Sequence, residues 1–128
     1  MPLKFTNHTD EGYLEVTYVH PVTDEVFLKD WETFLESDEW IPLPVVFSNL
    51  TEAGTSSVTG DTLITHFEYA SRKYRERGIS TVTDVIFAPK DLQYGIARMF
   101  KAYSKKSPET VQIFRDRDKA IQWLKENK

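Results

Sequence analysis

The chain has 128 residues, no cysteine and a formal net charge of −4. That length suits one domain with one real core and is too short for two, while the missing cysteines exclude a disulfide framework, a thiolate metal site and a cysteine nucleophile. No window approaches a membrane span, and the first residues lack the apolar run of a signal peptide, so a cytoplasmic address is expected.

The charge is uneven. Residues 1–64 carry twelve acids and two bases (−10), and residues 65–128 carry eight acids and fourteen bases (+6). An acidic domain disfavours nucleic acid, and the basic half leaves room for an anionic partner.

LKFTNH and YLEVTYVH, separated by Thr9-Asp10-Glu11-Gly12, read as hairpin strands with Leu14, Val16 and Tyr18 on the packed face. Pro21 stops the second strand. Thr23 then caps a helix whose first turn carries Asp24 and Glu25, with Val22 and Phe27 at the hydrophobic-staple positions. Phe27, Trp31, Phe34 and Leu35 recur at helical spacing, with Asp30, Glu32 and Glu36 opposite, and the helix is expected to end near Ser37.

Ile41-Pro42-Leu43-Pro44 cannot be helical, and Val45-Val46-Phe47 follows as a short apolar strand of the kind buried in parallel sheets. After the Ser/Thr/Gly-rich stretch Ser48–Gly60 comes a long helix with Leu63, Ile64, Phe67, Ala70 and Tyr74 on one face, closed by Gly78. Ile79–Ala88 holds another strand. Pro89-Lys90-Asp91 opens a helix carrying Leu92, Ile96, Met99, Phe100 and Tyr103, and Pro108 breaks the chain again. Thr110–Phe114 is the last strand, and Asp116 caps a terminal helix packed through Ala120, Ile121, Trp123 and Leu124.

The order β-β-α-β-α-β-α-β-α predicts one α/β domain over residues 1–128: a mostly parallel five-stranded sheet with N-terminal hairpin strands, covered by helices. Right-handed crossovers lay successive strands side by side, with the acidic half toward one edge and the basic half toward the other. Phe27, Trp31, Phe34, Val45, Val46, Phe67, Val85, Ile86, Phe100, Ile113 and Leu124 are expected to form one contiguous core.

Tyr94-Gly95-Ile96-Ala97-Arg98-Met99-Phe100, Val111-Gln112-Ile113-Phe114-Arg115-Asp116 and Lys119-Ala120-Ile121-Gln122-Trp123-Leu124 together resemble the SpoIIAA-like family, also called STAS-like or STAS/SEC14-type. The resemblance covers about residues 60–125. It implies a small β-α superhelix sharing its topology with anti-sigma-factor antagonists, which bind protein partners, and with SEC14 domains, which carry lipids. The antagonists are switched by phosphorylation of a serine in an Asp-Ser-Ser-Gly turn. Here the equivalent place reads Gly54-Thr55-Ser56-Ser57-Val58-Thr59-Gly60, so the serines are present without the leading aspartate or the following glycine.

The residues point to no catalytic constellation. His8, His20 and His66 lack metal-ligand spacing, and no Gly-x-Ser-x-Gly elbow occurs. Asp84, inside an apolar strand, reads as facing solvent or hydrogen-bonded near the sheet end, with a perturbed acid as the alternative. Arg72, Lys73, Arg75 and Arg77 read as cations complementing a helix C-terminus, with an anion or membrane-surface patch as the alternative.

Ligands of open α/β sheets sit beyond the carboxyl ends of the strands, where helix N-termini present N–H groups. Two loops qualify, Asn49–Asp61 and Ala88–Gly95. They place an anion or polar head group near Asn49, Ser56, Ser57, Thr59, Lys90, Tyr94, Gly95 and Arg98, with Gly95 allowing a close approach. The expected function is a non-enzymatic binding module without a cofactor, acting through a protein partner or as a homodimer. The alternative is a carrier or sensor of a small amphipathic or acyl ligand.

Overall fold

Gly12, at φ +85°, closes the turn that folds β1 (Leu3–His8) back on β2 (Tyr13–Tyr18), a backbone region open to glycine without steric penalty. The pair is antiparallel, with Leu3 opposite Tyr18 and His8 opposite Tyr13. The structure, a computed structural model, describes residues 2–54, 57–105, 107 and 109–127. Over them the chain continues through α1 (Asp24–Leu35), β3 (Val45–Asn49), α2 (Gly60–Glu76), β4 (Val82–Phe87), α3 (Asp91–Ser104), β5 (Glu109–Phe114) and α4 (Arg117–Asn127). The strands lie in the order β1-β2-β3-β4-β5 and every pair after the hairpin is parallel, so the expected mixed, mostly parallel sheet is present.

Short polar side chains set the helix ends. Thr23 accepts from Val26 N at 3.3 Å to start α1, and Ser37 donates to Phe34 O at 2.7 Å to close it. The staple pair Val22 and Phe27 is fully buried. Gly78, at φ +82°, follows the α2 C-cap Arg77 as the sequence predicts. Asp116 accepts from Lys119 N at 3.1 Å at the start of α4.

The expected single core is instead two layers, because successive side chains of a strand point to opposite faces. Phe27, Trp31, Phe34, Val46, Phe67, Ile86 and Phe100 pack between the sheet and α1, α2 and α3, with Ile113 at the margin. Val45, Val85 and Leu124 belong to a second, smaller layer under α4, with Tyr13, Phe47, Phe87 and Ala120. Asp30, expected on the outer side of α1, is buried and accepts from Leu3 N at 3.2 Å, tying the helix to the edge strand. Ile64, expected in the packed stripe of α2, is 43% exposed.

Candidate functional site

The residues predicted to bind a head group are divided by the structure. Asn49 Oδ1 accepts from Thr51 N and Thr51 Oγ1 at 3.0 and 2.7 Å, which folds the first loop locally. That loop does reach the start of α3: Leu50 N donates to Phe87 O at 3.0 Å, and Gln93 Nε2 donates to Thr51 O at 3.0 Å. Lys90 is the N-cap there, and its N–H donates to Gln93 Oε1.

Ser57 and Thr59 turn toward α1 instead. Ser57 N donates to Val22 O, while Thr59 N and Thr59 Oγ1 donate to the Asp24 carboxylate at 2.7 and 2.9 Å. A side chain of the protein itself thus meets the donors that were expected to hold an anion at the N-terminus of α2. Ser56 lies outside the described residues.

Tyr94 is flanked by two cations, Arg98 at 6.0 Å and Arg115 at 5.0 Å from its ring centre. Arg115, which sequence reading had not singled out, also donates to Asp91 Oδ1 and Pro89 O at 2.7 and 3.0 Å. No other part of the protein approaches Gly95: beyond its own helix, no atom of the described residues lies within 4 Å of the position a Cβ would take, and the space there is open.

A different region has the shape of a binding site. Between α2 and the C-terminal end of α3 runs an open cleft of about 740 Å³ lined by Ile64, Phe67, Ser71, Arg75, Tyr103 and Lys105, among others. Four of these come from one α2 stripe at positions 64, 67, 71 and 75, spacings that share a helix face. Phe67 and Ser71 are buried, and Ser71 Oγ has no hydrogen-bond partner. Tyr103 lies over Gly60, where any Cβ would run into its ring, so glycine at the first position of α2 lets this aromatic settle.

Of the four cations near the end of α2, three are engaged within the protein. Arg72 stacks on Tyr69 and Arg77 on Trp40, while Lys73 pairs with Glu36 at 3.1 Å. Tyr69 also donates to Glu36, and this bond, followed by Lys73, holds the Glu36 carboxyl below its ordinary pKa. Arg75 faces the cleft, as does Lys105.

Behind the cleft floor lies a chamber of about 10 Å³ lined by Tyr18, Trp31, His66, Phe67, Tyr74, Asp84 and Glu109, among others. Phe67 lines both spaces. Asp84 is 7% exposed and accepts from Ser48 Oγ at 2.8 Å. Burial pushes its carboxyl up to about 7 against that single opposing hydrogen bond. Burial, then the charge of Asp84, pushes Glu109 well up. His66, ringed by Phe27, Trp31 and Phe67, is driven down to about 3 by burial and is neutral at physiological pH. The solvent-facing reading of Asp84 is therefore overturned, and the perturbed acid is what the fold contains.

Trp31 Nε1 lies close enough to the Tyr18 hydroxyl to oppose slightly the burial that raises it, yet makes no hydrogen bond of ordinary geometry. Tyr74 Oη stands in the same relation to Trp40, and Glu109 Oε2 is buried without a partner. Among the described residues, no three or more His, Cys, Asp or Glu side chains are grouped to hold a metal ion, and no helix is long and apolar enough to cross a membrane.

No family model and no curated protein matches the sequence. Among solved structures, an uncharacterized DUF3478-family protein of SpoIIAA-like fold from Shewanella loihica PV-4 is similar, at 21% identity and a TM-score of 0.51, covering 95% of this chain and 91% of its own. At that identity the likeness carries the fold alone. The chain has a SpoIIAA-like fold, as the motifs between Tyr94 and Leu124 implied.

Proposed function

We propose that this domain is a cytoplasmic binding module, not a catalyst, and that the α2–α3 cleft takes a single-chain amphipathic ligand with an anionic head. The observation that carries the reading is the lining of the cleft: Ile64, Phe67 and Tyr103 beside Arg75 and Lys105, two cations against the one carboxylate of Glu68. Its volume of about 740 Å³ lies within the range of small-molecule sites. An alkyl chain laid along Phe67 and Ile64 removes apolar surface from water, and the two cations meet a carboxylate or phosphate. The alternative, a module that binds a protein partner or a second copy of itself, uses the same exposed Ile64 and Tyr103 as contact surface.

Native mass spectrometry of protein purified without added ligand, followed by calorimetric titration with straight-chain carboxylates, separates these readings. On the ligand reading, affinity rises about fourfold for each added CH₂ until the chain outgrows the cleft, as expected from about 0.8 kcal/mol per buried methylene. Arg75→Glu weakens binding, and Ile64→Glu abolishes the dependence on chain length. A clean dimer without bound mass, together with no response to any chain length, overturns it in favour of self-association.

A further inference from the structure

We propose that the chamber behind Phe67 is a binding site for one internal water molecule, held by Trp31 Nε1, Tyr74 Oη and Glu109 Oε2. The space fits this ligand and little else: about 10 Å³ open to the centre of a water-sized sphere is close to what one water requires. The three atoms are buried and make no hydrogen bond of ordinary geometry within the protein, although Trp31 lies near the Tyr18 hydroxyl and Tyr74 near Trp40, and they belong to residues lining the same chamber. Trp31 and Tyr74 are themselves only 5% and 3% exposed.

Their chemistry is complementary around a water. The indole N–H can only donate, the Glu109 oxygen accepts, and the tyrosine hydroxyl does either. One water therefore accepts from Trp31, donates to Glu109 and closes a third bond with Tyr74, which is the usual number for a buried water. Without it, Glu109 Oε2 stays desolvated and unpaired, and Trp31 and Tyr74 are left with the imperfect geometry of Tyr18 and Trp40, each at a cost up to that of a lost hydrogen bond.

The surrounding charges suit a neutral guest. The titratable groups lining the chamber are Tyr18 from β2, His66 and Tyr74 from α2, Asp84 from β4 and Glu109 from β5, while α1 and α3 contribute Trp31 and Phe100. None of the lining residues is a lysine or an arginine. The two acids are biased toward their protonated forms and His66 toward its neutral form. The site does not depend on what occupies the cleft, since Trp31, Tyr74 and Glu109 line the chamber and not the cleft.

The test is water-to-protein magnetisation transfer in the ¹⁵N-labelled protein near pH 6, with the Trp31 indole assigned by its loss in Trp31→Phe. The expected result is a cross-peak between water and the Trp31 indole proton, with the sign of a water resident longer than a nanosecond, and one density peak within hydrogen-bond distance of all three atoms in a high-resolution crystal structure. Glu109→Gln, which keeps an acceptor, retains the cross-peak, and Glu109→Leu loses it. A folded wild-type protein with no water cross-peak at Trp31 and no density in the chamber overturns the proposal. A cross-peak that survives unchanged in Glu109→Leu removes Glu109 from the site.

Discussion

The two faces of the sheet are built from the same strands and solve packing differently. Under α4, Val45 and Phe47 of β3 and Val85 and Phe87 of β4 meet Ala120, Leu124 and Tyr13, with the Arg117 guanidinium stacked over the Phe47 and Phe87 rings. On the opposite face the alternate residues are Val46 and Ser48 of β3, Asp84 and Ile86 of β4, and Glu109 and Val111 of β5. Three helices cover that face, with Ser48 and Asp84 buried beneath them and Glu109 half-buried at the start of the edge strand. The comparison teaches that the small layer is a plain packing surface, whereas the larger layer carries buried polar groups that stability alone does not call for. A buried acid without a cation is destabilising when ionised.

The largest expected effect follows from that asymmetry. The folded pKa of Asp84 lies above its unfolded value, at about 7 against 3.8, so over that interval the native state holds a proton that the unfolded chain has lost. The Asp84 contribution to stability is therefore fullest below about pH 4 and falls as pH rises toward 7, by about 1.4 kcal/mol per pH unit or about 4 kcal/mol in all. Glu109 adds to the same trend, and Glu36, whose pKa is lowered, opposes it at the acid end. Urea unfolding from pH 4 to 8 measures this slope, and Asp84→Asn should flatten much of it. An unchanged slope in that variant would place the titrating group elsewhere.

Truncation on each face sharpens the contrast. Trp31→Ala, on the polar face, is expected to cost about 3 to 5 kcal/mol, and Leu124→Ala, under α4, about 2 to 5 kcal/mol. The distinguishing readout is again pH. Leu124→Ala should lower stability by the same amount at pH 5 and pH 8, because no titrating group belongs to its layer's buried set apart from Tyr13, whose pKa burial raises further from that range. A pH-dependent loss at Leu124 would mean that the two faces communicate.

Much of the fold was legible because local chemistry agrees with it: the alternation of Leu14, Val16 and Tyr18, the caps Thr23 and Asp116, and Gly78 after α2 each state their role within a few residues. The division of the core was harder to read. In β4 both parities, Val82-Asp84-Ile86 and Thr83-Val85-Phe87, contain apolar residues, so alternation alone did not say which face Asp84 joined. Ile64 and Arg75 were visible only as members of a periodic stripe and a helix-end charge. Their meeting with Tyr103 and Lys105 depends on how α2 lies against α3, which no local pattern states. The expected head-group site failed to account for Asp24, whose carboxylate reaches Thr59 across 35 positions of sequence.

The smallest expected effect tests the region that sequence reading favoured against the cleft that the structure offers. Gly95 lies within α3 on its exposed face, with no positive φ and, beyond its own helix, no atom within 4 Å of a would-be Cβ. A glycine so placed loses backbone entropy on folding and gains no packing in return, so Gly95→Ala should stabilise the protein by about 0.8 to 1 kcal/mol. The same variant leaves the α2–α3 cleft untouched, since Gly95 is not among its lining residues. Carboxylate titration of Gly95→Ala should therefore reproduce the parent affinity while thermal unfolding moves upward. Weaker binding in a stabilised Gly95→Ala protein would return the ligand to the start of α3, beside Tyr94 and Arg98, because an added methyl there can act only on a molecule approaching that open surface.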